Sequence, residues 1–168
     1  MATATKTKIY RWVKKYLDKE KAYYKKDDVK KELQTVAFLD DNENSIIMII
    51  SCHEMLVEID ACFEHFADEK SRINVLEYLM RINSNLKNGC FIINLENGEI
   101  CLRSNLNTFD RETLSDDLIG LTLAGPRFIF NYYYKGLLDV MSGKKSPEQA
   151  ANEILRRNHE SCSCGCEH

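Results

Sequence analysis

The sequence predicts an α+β domain, in which an antiparallel sheet of about five strands packs against helices in the order α-β-β-β-α-β-β-α-α-α. Three observations carry this expectation. Apolar residues recur at helical spacing near both ends of the chain, three runs of β-forming residues separated by short polar breaks fill residues 31–63, and the stretch 69–105 reads as a helix feeding directly into a β-hairpin. With 168 residues, 44% of them apolar and 29% charged, the chain suits one domain that buries about 70% of its unfolded surface. The expected division is a single domain over residues 1–158 and a flexible Cys/His-rich tail over residues 159–168.

From Thr7 onward, Ile9, Trp12, Val13, Tyr16 and Leu17 fall at i, i+3, i+4, i+7 and i+8 among lysines, which predicts a first amphipathic helix. Its apolar face is read as core, with Trp12 and Tyr16 as alternative contacts for a partner. A lysine-rich connection around residues 23–28 leads into three strands, 31–39, 45–52 and 55–63, joined by breaks short enough to make them antiparallel neighbours. In the third strand Met55, Val57, Ile59, Ala61 and Phe63 alternate with Leu56, Glu58, Asp60 and Cys62, giving one covered and one wetter face.

Val75, Leu79, Ile82 and Leu86, widened by Ile73, Leu76 and Met80, predict a helix over 69–87 that stops at Gly89. Asn97-Gly98 between two runs of strand formers predicts a two-residue hairpin turn. That turn pairs Leu95 with Ile100, Ile93 with Leu102 and Phe91 with Ser104. The preceding helix is the nearest cover for the resulting apolar face, and Ile92 is the one large apolar residue on the other side. Beyond the hairpin, Leu114, Leu118 and Leu121 predict a helix ending near Gly125-Pro126, and a second helix over 127–141 that is apolar nearly all round. Ser146-Pro147-Glu148-Gln149 is a capping box that opens the last helix.

Composition narrows the function classes. No apolar run approaches the ~20 residues of a membrane span, and no secretory leader opens the chain, so a cytoplasmic protein without membrane contact is expected. Residues 1–31 hold eleven Lys or Arg against four acids, and the remainder twelve against twenty-two. A solvated helix face accounts for that polarity, and nucleic acid is not the expected partner. Of seven cysteines, Cys52, Cys62, Cys90 and Cys101 fall singly in predicted strands and read as small apolar fillers. Cys90 and Cys101 share a hairpin face but stand about four positions apart along it, too far for a disulfide.

Asn83 near the end of the second helix, Leu86 and Gly89 after it, Phe91, Gly98, Ile100 and Arg103 in the hairpin, and VMSGKKSPEQAANEIL at 140–155 together resemble the YbjN-like family of candidate bacterial sensory transduction regulators. The resemblance spans residues 8–155 and rests on helix stops, turns and core positions. That family is similar in fold to the dimeric chaperones of type III secretion, which hold an unfolded stretch of their client against an exposed sheet and helix surface. The resemblance implies an interaction module with a protein client or regulator as partner and no established catalytic residues to carry over. The all-round apolar helix and the half-covered sheet leave more apolar surface than a lone domain usually exposes, so a symmetric homodimer is expected. The cysteine tail departs from the family pattern.

Candidate functional residues follow. The aromatic segment Phe128, Phe130, Tyr132, Tyr133 and Tyr134 is the expected partner-binding surface. Cys162, Cys164 and Cys166, with His168 after them and His159 before, supply soft and borderline ligands for Zn²⁺ or Cu(I), although their alternate spacing is not the paired spacing of structural zinc sites. A solvated tail with free thiols is the competing reading. His53 and His65 read as surface residues, and no H-E-x-x-H, phosphate-loop, dinucleotide-binding or G-x-S-x-G motif is present, so no enzyme is expected. Asn83, where the helical stripe asks for an apolar residue, is expected to cap the helix or tie down the hairpin by hydrogen bonds.

Overall fold

A computed structural model describes residues 5–109 and 111–162, with side chains as far as Arg156. The chain runs through α1 (Lys6–Lys19), β1 (Tyr24–Asp27), β2 (Glu32–Phe38), β3 (Ser45–Cys52), β4 (Leu56–Phe63), α2 (Arg72–Asn83), β5 (Cys90–Ile93), β6 (Ile100–Asn107), α3 (Asp116–Met141) and α4 (Pro147–Cys162). The strands form one antiparallel sheet in the order β1-β2-β3-β4-β6-β5. Helices cover one face, with α1 against β3, α3 across β4 and β6, α2 over β5, and α4 on α2 and α3.

The sheet has six strands rather than the expected five, because β1 lies where a lysine-rich connection was predicted. Its polar composition hides it. Tyr24 pairs with Thr35 and Asp27 with Glu32, the Asp27 carboxylate closes the turn by accepting the Val29 and Lys30 N–H groups at 2.9 Å, and Lys25 and Lys26 charge an outer edge that would otherwise attract another strand. The other strands of the meander fall where the alternation places them, and Val57, Ile59, Ala61 and Phe63 are buried on the covered face.

The predicted break at Gly125-Pro126 does not occur, since α3 is a single helix of 26 residues. Pro126 removes one hydrogen bond to the carbonyl a turn earlier. Pro126 is buried and lines a small cavity together with Ser104 and Leu106 of β6, and Ile119, Leu123, Phe130, Tyr133 and Leu137 are buried on both sides of it, so packing holds the helix across the gap.

α2 is shorter than its predicted span and turns slightly from its predicted face. Val75, Leu79 and Ile82 are buried as the spacing requires, but Tyr78 joins them while Ile73 and Met80 are exposed. Gly89, at φ 82°, does not stop the helix; it opens β5, where a Cβ would lie 2.8 Å from the Arg103 carbonyl oxygen.

The hairpin keeps its predicted faces and changes its register by two residues, pairing Ile93 with Ile100 and Phe91 with Leu102. An even shift cannot turn side chains over. The two-residue turn becomes a four-residue loop, 95–98, closed by the Asn94 N–H to Glu99 carbonyl bond at 2.9 Å and the Gly98 N–H to Asn94 carbonyl bond at 2.7 Å. Gly98, at φ 81°, also accepts the Ala67 N–H at 2.9 Å, and a Cβ there would stand 1.9 Å from the Ala67 carbonyl oxygen. That anchor to the segment before α2 determines the loop length.

A candidate interaction surface on the open sheet face

The face of the sheet opposite the helices is not uniformly polar. Strand pairing aligns Val36, Ile47, Cys62, Cys101 and Ile92 in one row that crosses β2, β3, β4, β6 and β5. Val36 is 52% exposed and Ile92 38%, and Phe38 and Ile49 add apolar surface on either side at 59% and 38%. Isolated exposed apolar residues need no explanation, but here the partly exposed Ile47 and Cys62 and the buried Cys101 join the exposed ends into one row across five strands, which makes this face a candidate contact surface.

The neighbouring row is polar and ordered. It aligns Gln34, Ile49, Asp60, Arg103 and Cys90. The Arg103 guanidinium donates two hydrogen bonds to the Asp60 carboxylate, each at 2.7 Å, with Glu58 at 3.8 Å. The bond to Asp60 first, and the charges of Asp60 and Glu58 after it, raise the arginine's pKa further. In the apolar row, Cys62 and Cys101 are joined by a disulfide with their Cα atoms 4.0 Å apart, which corrects the reading of these two as separate fillers. Cys90 and Cys101 are not joined to each other, and Cys90 is free. Cys52 is buried, and burial pushes its thiol up to about 12, whereas Cys90 is exposed.

Asn83 fixes the outer edge of this surface. Its amide nitrogen donates to the Phe91 carbonyl at 2.9 Å and its amide oxygen accepts the Phe91 N–H at 2.8 Å, so it ties α2 to β5 and occupies the backbone groups of an edge strand. This is the hydrogen-bonding role its position in the stripe predicts.

The aromatic segment of α3 does not form one surface. Phe130, Tyr133 and Tyr134 are buried: the Phe130 ring stacks on Phe63 at 5.7 Å and meets Phe91 edge-on at 5.0 Å, and the Tyr133 carbonyl accepts the Tyr78 hydroxyl at 2.9 Å. These three side chains pack in the core of the single chain. Phe128 is 66% exposed, and Tyr132 is partly exposed with its hydroxyl donating to the Ile154 carbonyl at 3.0 Å. Adjacent residues on a helix point about 100° apart, so aromatics spread over the seven positions 128–134 must divide between core and solvent.

A cleft of about 350 Å³ between α3 and α4 includes Asp139, Lys145 and Glu153. Lys145 bonds Glu153 at 2.6 Å and Asp139 at 2.9 Å, and with Lys144 it holds the Asp139 carboxyl below the usual range, so the charges satisfy one another and brace the two helices. His53 and His65 lie at opposite ends of β4, whose eight residues rise roughly 25 Å, and cannot share a substrate. The His65 ring bonds the Asn44 side chain at 2.8 Å. Of the tail, Cys162 is the last residue of α4, while its side chain and that of His159, together with Cys164, Cys166 and His168, lie outside the described residues.

No protein-family model matches the chain, and no curated protein matches it. Among solved structures, that of YbjN from E. coli, described as a candidate transcription regulator, aligns over 90% of this chain and 92% of its own with a TM-score of 0.50. The fold is that of YbjN. At 12% identity the likeness to YbjN is one of architecture. It agrees in fold with the family that the sequence resembles.

The sequence singles out the aromatic run of α3 rather than the open sheet face. A signal for the apolar row on that face is present in Ser45–Cys52, where Ile46, Met48 and Ile50 are buried on one face while Ile47 and Ile49 repeat the apolar chemistry on the other. A strand facing only solvent has no use for that second set.

Proposed function

We propose that this chain is a non-enzymatic interaction module of regulatory or chaperone type, which binds protein through the open face of its sheet and forms a homodimer in the bacterial cytoplasm. The apolar row from Val36 to Ile92 is the observation that supports this reading. The ordered Asp60–Arg103 pair in the row beside it gives a partner a register as well as apolar area. The YbjN likeness, to a protein described as a candidate transcription regulator, favours a regulatory context. Among the described residues no helix is long and apolar enough to cross a membrane. Nucleic acid is not the proposed partner, because lysines of the basic N-terminal segment are paired: Lys14 with Asp18, Lys19 with Asp116 and Lys26 with Asp28, at 2.6–2.7 Å.

Light scattering at high micromolar concentration tests the assembly. The expected mass is twice 19.5 kDa for the natural chain and 19.5 kDa for Val36→Asp combined with Ile92→Asp, with unchanged circular dichroism. A natural chain that scatters as a monomer, or a double variant that remains dimeric, removes the open face from the dimer. Turnover of a small molecule that is abolished by changing His53 or His65 removes the non-enzymatic reading.

A further inference from the structure

On the open face the Cys62–Cys101 pair stands beside a third donor. Glu99 precedes Cys101 by two residues and so projects from the same side of the sheet, and its carboxylate and both sulfurs lie within 4.8 Å of one another. The other carboxylates around it are engaged, Asp60 and Glu58 with Arg103, and Glu64 with the backbone N–H and hydroxyl of Ser45 at 2.6 and 2.8 Å. The Glu99 carboxylate makes no hydrogen bond or ion pair among the described residues. Its backbone is nevertheless fixed on both sides, the N–H by the Asn97 side chain and the carbonyl by the Asn94 N–H, both at 2.9 Å.

We infer that Cys62, Cys101 and Glu99 form a redox-gated site for a borderline divalent cation of the zinc class. Two sulfurs and one carboxylate oxygen are a ligand set suited to such an ion. As a disulfide the pair offers no thiolate. A dithiol reductant delivers two electrons and two protons to it, becoming a disulfide itself, and leaves two thiols, each of which releases its proton as the cation binds. Bond lengths of about 2.3 Å to sulfur and 2.1 Å to oxygen set tetrahedral donors about 3.4–3.8 Å apart. Facing side chains on neighbouring strands, with Cβ atoms about 5 Å apart, reach that spacing once the bond between the sulfurs is gone. Three protein donors leave a fourth position toward the open side of the sheet, the pattern of an accessible rather than a closed site. Arg103, the next residue on this face of β6, is neutralised by Asp60 at 2.7 Å and does not compete for the thiolates. The site needs no protein partner and stands apart from the docking role of the same face.

The test uses the full chain with Cys162, Cys164 and Cys166 changed to Ser, so that the tail contributes no thiol. After reduction by a phosphine and its removal without air, Co²⁺ is titrated in as the probe. One equivalent should bind with the sulfur-to-cobalt absorption of tetrahedral thiolate coordination, and Zn²⁺ should displace it. The oxidised protein should show no such band, Cys62→Ser with Cys101→Ser should abolish it, and Cys90→Ser should leave it unchanged. Glu99→Gln, which alters a surface group without touching the core, should weaken cobalt binding about tenfold or more. The inference is overturned by a disulfide that resists the phosphine, by a reduced protein that shows no thiolate band, by a band that survives the double Cys variant, or by a Glu99→Gln affinity equal to that of its parent.

Discussion

Single side chains set the local geometry of this protein where the backbone alone would leave it undetermined. Asn83 does so between α2 and β5, and Asp41 does so in the β2–β3 connection, where its carboxylate accepts the Glu43 and Asn44 N–H groups at 3.0 Å and the Asn44 side-chain amide at 2.7 Å. The Asn44 backbone bond first, then the Asn44 side chain, the Glu43 N–H and the Tyr134 hydroxyl, lower the Asp41 carboxyl to about 2. Burial first, and the same carboxylate second, push Tyr134 up to about 12. The folded state therefore binds the Asp41 proton more weakly than the unfolded chain, whose carboxyl titrates near 3.9. The contribution of Asp41 to stability is complete above about pH 4 and is lost as the pH falls toward 2. Urea midpoints measured between pH 6 and 2 should show Asp41→Asn less stable than the natural chain at pH 6, with the gap closing toward pH 2. A gap of constant size would remove this carboxylate from the acid response. The clamp by Asn83 was legible because a polar residue interrupts an apolar stripe, whereas Asp41 sits among other polar loop residues and carried no such mark.

At the scale of elements, alternation and helical spacing place the strands other than β1 and most helix faces correctly, while ends and turns depend on neighbours. The hairpin shows why. Asn97-Gly98 predicts a two-residue turn from local backbone preference, but the bond between Gly98 and Ala67 holds the loop open and only Gly98 adopts positive φ. Gly98→Ala must both strain φ and push into the Ala67 carbonyl, so it should cost about 2–3 kcal/mol in urea unfolding. Asn97→Ala loses the single side-chain bond to the Glu99 N–H and should cost under about 1 kcal/mol. Equal effects would mean that the turn dipeptide, rather than the Ala67 anchor, determines the loop. α3 makes the same point in reverse, since proline's local preference for a break yields to burial on both sides of it.

At the scale of the whole molecule one core joins sheet and helices, and Phe130 stands at its centre between Phe63 and Phe91. Phe130→Ala should lower stability by about 3–5 kcal/mol while leaving a single unfolding transition by circular dichroism and by tyrosine fluorescence. Separate transitions for helices and sheet would show that the two layers do not share one core. The sequence by itself determined the α+β class, the β2–β4 meander, which residues of β4 and of the hairpin face the helices, and the stripe of α1, because each follows from a repeat of 2 or 3.6 within one segment. Tertiary structure alone decided that β6 lies beside β4 with β5 outside it. That choice brings Cys62 onto Cys101, Asp60 onto Arg103, and Val36 into line with Ile92. Partners some forty residues apart are selected by which faces can be buried together, and no periodicity within either segment records the outcome.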